Sequence, residues 1–215
     1  MTDIPQEELN HFVRACHDAA HRGLMRCSSG NLSLRLDNDQ LLVTSSRSWM
    51  QDISPAQVSL CRISDASLLQ GNKPTVEIGF HAGILRTRSD VNVVMHFQTP
   101  FATTLACQRR DVEPDYYVIP EIPFYIGPVA RVPYLLPGTP ELAQAVTTAM
   151  TDHDMVIMGN HGQVTVAGDI EHAIQNAEFF ELACQAIVTG GQTIRPLHTD
   201  DVNELLALRN SGQTP

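Results

Sequence analysis

The chain has 215 residues, 43% of them hydrophobic, and a formal net charge of −10. That length suits one large domain over 1–215 with a sizeable core. The acidic balance disfavours nonspecific binding to nucleic acid or an anionic membrane, and no apolar run reaches the roughly 20 residues of a bilayer span. The first ten residues are polar and acidic, unlike a signal peptide. Five scattered cysteines without a CxxC motif fit reduced thiols in a cytoplasmic protein.

In chain order, Leu9, Phe12, Val13, Cys16 and Ala20 recur at helical spacing, predicting an amphipathic helix over 5–22 that Gly23 stops. Cys27-Ser28-Ser29-Gly30-Asn31 is a small polar loop. Leu32, Leu34 and Leu36 alternate with polar residues, Asp37-Asn38-Asp39 turns the chain, and 41–44 returns, which predicts a β-hairpin. Thr44-Ser45-Ser46-Arg47-Ser48 is a second hydroxyl-rich loop. Ser54-Pro55 predicts a short capped helix, and 58–63 a further strand. Thr75 is placed to cap a helix over about 76–88 whose buried side carries Val76, Phe80 and Ile84.

Val91 to Met95 is a short, β-branched apolar run that predicts a central strand ending in His96-Phe97-Gln98. His96 and Gln98 are two apart, so an extended chain points them to one side. Thr99-Pro100 predicts a helix to about 107, and the four prolines of 109–128 predict irregular structure around Tyr116 and Tyr117. A strand over 129–135, a helix from Thr139-Pro140 to about 151 and a buried strand over 155–158 follow. Gly159-Asn160-His161-Gly162 is a tight turn into a strand over 163–166, and Asp169 caps a helix over 170–189. A last acidic helix covers 199–209. These elements predict an α/β chain with a largely antiparallel sheet and helices on both faces.

The ligand-capable residues at element ends are Glu77, His81, His96, Gln98 and His161. If the strands ending at His96 and His161 lie together, both imidazoles converge on one divalent ion. A catalytic zinc uses three protein ligands and an open position, and imidazole with oxygen ligands also suits manganese, iron or cobalt. Each histidine alone is more simply explained as a hydrogen-bonded residue at a strand end, although the glycines flanking Asn160-His161 allow backbone or substrate a close approach there. Glu77 can ligate or serve as a general base, and His81, four residues on, lies within reach of it. His17 and His21 form an i, i+4 pair, but residue 18 is Asp, so the HExxH pattern is missing. The hydroxyl-rich loops at 28–33 and 44–48 can cradle a phosphate, although neither is a P-loop. GxSxG and GxGxxG are also absent, which argues against a hydrolase with a nucleophile elbow and against a Rossmann dehydrogenase.

The succession Ser29-Gly30-Asn31-Leu32-Ser33, Thr44-Ser45-Ser46, Pro74-Thr75-Val76-Glu77 with His81, Val93-Val94-Met95-His96-Phe97-Gln98 and Asn160-His161-Gly162 resembles the class II aldolase/adducin family from about residue 7 to 190. Within that family the motifs look like those of L-fuculose-1-phosphate aldolases. The resemblance implies a three-layer α/β/α domain around a mainly antiparallel sheet, assembled as a homotetramer with active sites between subunits. It implies a zinc site at His96, Gln98 and His161, where Gln98 stands in place of the family's histidine, so another divalent metal is also compatible. Glu77 takes the family's acid/base position and Tyr117 its catalytic tyrosine. Gly30, Asn31, Ser45, Ser46 and Thr75 take the phosphate pocket, with Arg47 able to supply a charge. Glycine is usual in the family where Ser46 or Arg47 stands. The implied reaction is cleavage of a ketose 1-phosphate, such as L-fuculose 1-phosphate, to dihydroxyacetone phosphate and an aldehyde. The alternatives on this fold are a sugar-phosphate epimerase, a decarboxylase or a non-catalytic adducin-like domain.

Overall fold

The computed structural model describes residues 4–109 and 114–212. In chain order they form α1 (Gln6–His21), β1 (Asn31–Arg35), β2 (Gln40–Thr44), β3 (Val58–Arg62), β4 (Leu68–Gln70), α2 (Ile78–Thr87), β5 (Val93–Phe97), α3 (Pro100–Ala106), β6 (Val129–Val132), α4 (Pro140–Ala149), β7 (Met155–Met158), β8 (Gly162–Ala167), α5 (Ile170–Gly190) and α6 (Thr199–Ser211).

The strands make one sheet in the order β4-β3-β2-β1-β5-β8-β7-β6. It is a mixed sheet, which corrects the mainly antiparallel expectation at one edge. Six neighbouring pairs are antiparallel, but β6 and β7 run parallel. The long excursion through α4 reverses the chain between them, as a crossover connection must.

Alternation along the strands builds two cores. Val93, Met95 and Phe97 of β5 join α1, α3 and α5 on one face, where Phe12, Leu105 and Phe180 are fully buried. Val94 points the other way, toward Phe80, Ile84, Leu142 and Val146 of α2 and α4. Helix α2 approaches α4 closely because Gly83 faces Thr147, whose hydroxyl would meet any added Cβ.

Three local expectations are corrected. Helix α2 starts two residues late, at Ile78, so Glu77 is its N-cap rather than a first-turn residue, and Val76 is 53% exposed instead of buried. The central strand runs from Val93 to Phe97, so His96 lies inside it. The proline-rich stretch is not wholly irregular, because Ile122–Ile126 form a π-helical turn; residues 110–113 of that stretch lie outside the described residues.

Candidate active site

The register of three strands assembles the site. On β5, His96 lies opposite Asn31 of β1 and opposite Val164 of β8. The β7–β8 turn carries His161 beside the end of β5, with Asn160 in the left-handed region at φ 54°, where Asn is tolerated better than most residues. Gly162 makes the close approach possible. A Cβ there would stand 2.7 Å from the Gln98 Cγ, 2.8 Å from the Phe97 carbonyl and 2.9 Å from the His96 ring. The loop before α2 brings Glu77 from the far side.

Glu77, His96 and His161 offer ligand atoms that all lie within 4.8 Å of one another. His161 Nε2 is 3.3 Å from Glu77 Oε1, and His96 Nε2 is 3.6 Å from Glu77 Oε2. All three are largely buried: Glu77 is 5% exposed and His96 2%. The Nδ1–H of His96 donates to the Gln163 carbonyl at 2.8 Å, which leaves the Nε2 lone pair facing Glu77, as metal-ligating histidines require. Glu77 Oε1 and His161 Nδ1 are buried without a hydrogen-bond partner. A buried carboxylate oxygen in that condition is costly, and a cation would satisfy it.

Protonation states agree with this fit. Burial alone would raise the Glu77 carboxyl, but His96, the Asn31 amide and His161 outweigh it and hold the group below its ordinary value. Burial pushes His161 down to about 4 and His81 to about 3. Glu77 is therefore ionised and His161 neutral at neutral pH, the states that metal ligation by a carboxylate and an imidazole requires.

The structure brings most of the expected residues into one cavity of about 270 Å³. Gly30, Asn31, Ser45, Ser46 and Thr75 line it together with Glu77, His96, Gln98 and His161. Some of their polar groups are already engaged. The Ser45 hydroxyl pairs with Ser59 at 2.9 Å, and Thr75 Oγ1 accepts from the Glu77 N–H at 3.3 Å. Gln98 Nε2 donates to the His161 carbonyl at 2.9 Å, so its amide oxygen is the end left for a cation. Arg47 lines the cavity at φ 63°, a conformation that favours glycine. That accounts for the glycine usual near this place in the family pattern.

Tyr117 stands apart. It does not line this cavity and lies in the surroundings of Asp115 and Arg209. Among the described residues of one chain it does not meet Glu77. His17 is likewise not a ligand, because its Nε2 is paired with the Ile53 carbonyl at 2.8 Å. The expected His81–Glu77 hydrogen bond is corrected too: His81 reaches Glu77 only through Asn31. The role of Gln163 in holding His96 was hidden in the sequence, since its backbone carbonyl, not its side chain, makes the contact.

Residues 10–188 match the family model of the class II aldolase and adducin N-terminal domain. The chain belongs to this family. A 3-oxo-tetronate 4-phosphate decarboxylase from Haemophilus influenzae is 30% identical over 209 residues, covering 95% of this chain and 98% of its own. An L-fuculose phosphate aldolase from Methanococcus maripaludis is 28% identical over 177 residues, 82% of this chain and 93% of that one. Among solved structures of the class II aldolase fold, YgbL from Klebsiella pneumoniae, described as an aldolase/epimerase/decarboxylase, superposes with a TM-score of 0.87 at 27% identity, covering 93% of this chain and 98% of its own.

Proposed function

We propose that the protein is a divalent-metal-dependent decarboxylase of a phosphorylated 3-oxo sugar acid, with 3-oxo-tetronate 4-phosphate as the model substrate. The observation that carries this reading is the near end-to-end match to the Haemophilus influenzae decarboxylase. It supports the decarboxylase alternative over the ketose 1-phosphate aldolase expected first. The site chemistry accommodates either reaction, because both form the same intermediate. Loss of CO2 from C1 of the 3-oxo acid leaves an electron pair on C2, delocalised onto the C3 carbonyl oxygen. That species is the enediolate of dihydroxyacetone phosphate, which aldol cleavage of a ketose 1-phosphate also yields. Only the leaving fragment differs. In aldol cleavage the hydroxyl that becomes the aldehyde must give up its proton, whereas the ionised carboxylate departs as CO2 without a base.

In this reading the loops at 28–31 and 45–48, with Thr75, hold the phosphate, and the Arg47 guanidinium adds charge at their rim. His96, His161 and Glu77 would hold the cation, with the Gln98 amide oxygen beside them. A bound divalent cation supplies a Lewis acid for the negative charge that develops at the carbonyl. Oε2 of Glu77 is tied to Asn31. Oε1 is left to face the cation, and because the ionised carboxylate carries no proton at the outset, the proton that C2 finally receives is drawn from water and passed by Glu77. Tyr117 would have to come from a second copy to meet this chemistry, as an intersubunit site in a homotetramer would allow.

The test compares the two substrates with one metal-loaded preparation. The expected result is kcat/KM for 3-oxo-tetronate 4-phosphate at least about 100-fold above that for L-fuculose 1-phosphate, a gap of ~2.7 kcal/mol in transition-state binding. The reverse order would return the protein to the aldolases, which the Methanococcus relative also supports.

A further inference from the structure

One buried group outside the ligand set has a directional arrangement that the chemistry above does not use. His81 is 0% exposed on α2, with its ring turned toward Asn31 and Ser33 of β1. Its Nδ1 is 2.7 Å from the Ser33 hydroxyl and its Nε2 is 2.5 Å from the Asn31 amide oxygen. The Asn31 Nδ2 in turn donates to Glu77 Oε2 at 2.8 Å. Ser33 is also 0% exposed and Asn31 is 6% exposed.

The acceptors fix every direction. A carboxylate oxygen only accepts, so Asn31 must present its NH2 to Glu77. Its carbonyl oxygen therefore faces His81 and also only accepts, so the proton sits on Nε2. Nδ1 is then the lone-pair nitrogen, and the Ser33 hydroxyl donates to it. Each link pairs one donor with one acceptor, so reversing any one link leaves two donors or two acceptors face to face in the interior. Asn31 and Ser33 are two apart on β1 and share the side facing α2.

We propose that Ser33, His81 and Asn31 form a positioning relay that fixes the Glu77 carboxylate, holding Oε2 so that Oε1 is presented to the cation. Ser33 and His81 act through Asn31 and touch neither substrate nor metal. This assigns Asn31 a task different from phosphate binding: its amide is engaged on both ends, although the residue lines the cavity. Hydrogen-bonded partners behind a metal ligand typically change affinity 10–100-fold when removed.

The inference rests on the metal-site reading, and its test needs no turnover. The metal-free protein is titrated with Zn2+, and separately with Mn2+, against a chromophoric chelator. The variants are Ser33→Ala, His81→Leu, His81→Gln and Glu77→Gln, with Ser33→Ala and His81→Leu also made in the Glu77→Gln background. We expect His81→Leu to weaken binding 10–100-fold and Ser33→Ala several-fold, while His81→Gln, which keeps an N–H toward Asn31, recovers most of the loss. In the Glu77→Gln background neither change should weaken binding further. A general packing defect would instead cost the same factor in both backgrounds, and that result would overturn the relay. Unchanged affinity in Ser33→Ala and His81→Leu would overturn it as well. If His81→Leu does not fold, the Ser33→Ala cycle decides alone. Failure of the unaltered protein to bind either metal would remove the metal-site reading and the relay together, whereas binding that ignores the relay variants removes only the relay.

Discussion

At the scale of single residues, the account turns on how tightly backbone and side chains crowd around His96. Gly162→Ala would drive a methyl group into the Gln98 side chain, the Phe97 carbonyl and the His96 ring. Overpacking of this kind costs ~1–3 kcal/mol. The expected outcome is a loss of metal affinity of about tenfold or more, read by calorimetric titration, with a lower melting temperature. Arg47 poses the opposite case. Its left-handed backbone costs ~1–2 kcal/mol that glycine avoids, while glycine gives back ~0.5–1 kcal/mol as chain entropy. Arg47→Gly should therefore leave stability within about 1 kcal/mol and raise KM for a phosphorylated substrate without a matching fall in kcat. Both residues stood out in the sequence, Gly162 in its Gly-Asn-His-Gly turn and Arg47 where a glycine is usual. The side-chain identities of Glu77, His96 and His161 were equally legible. Their meeting was legible only through the family resemblance, because residue spacing alone does not show α2, β5 and the β7–β8 turn converging from positions 77, 96 and 161.

At the scale of elements, helix α2 carries Glu77 at its N-cap and His81 one turn later, so its seating on α4 sets the site. Gly83 against Thr147 is the tightest point of that seating. Gly83→Ala gains up to ~1 kcal/mol of helix propensity, but the clash exceeds this, and net destabilisation of ~1–2 kcal/mol is expected from urea unfolding. Thr147→Ala removes the opposing hydroxyl and should recover most of it, so the two changes are non-additive. The periodic elements could be read from the chain: α1, the β1–β2 hairpin, β7 and α5 stand within a residue or two of where their patterns place them. Strand β4 could not, because Leu68, Leu69 and Gln70 are all exposed and show no alternation. The start of α2 was misplaced because Thr75 looks like a cap, whereas its hydroxyl accepts from the Glu77 N–H before the helix begins. The π-helical turn was masked by prolines that normally interrupt helices.

At the scale of the whole molecule, two apolar clusters pack on opposite faces of one sheet, and the polar site is set into the end of its central strands. Among the described residues no helix is long and apolar enough to cross a membrane. Burying neutral imidazoles there makes stability depend on pH. His81 and His161 fall from an ordinary value of about 6.5 to about 3 and about 4 in the fold. The unfolded chain therefore binds protons that the folded chain refuses between those values. Stability is fully present above about pH 6.5 and is lost as pH falls toward 4, by up to ~1.4 kcal/mol per pH unit for each group. Denaturant unfolding of the metal-free protein at pH 7 and pH 5 should show that drop, and His81→Gln should remove the His81 share and leave that of His161.

The most direct measurement supplies 3-oxo-tetronate 4-phosphate labelled with 13C at its carboxylate and follows the label by NMR while dihydroxyacetone phosphate is assayed enzymatically. The expected result is labelled bicarbonate and dihydroxyacetone phosphate in equal amounts. Release should stop on chelation, return with added Zn2+ or Mn2+, and fall ~10²–10⁴-fold in Glu77→Gln. A metal-loaded protein that leaves the labelled carboxylate intact while cleaving L-fuculose 1-phosphate would contradict it.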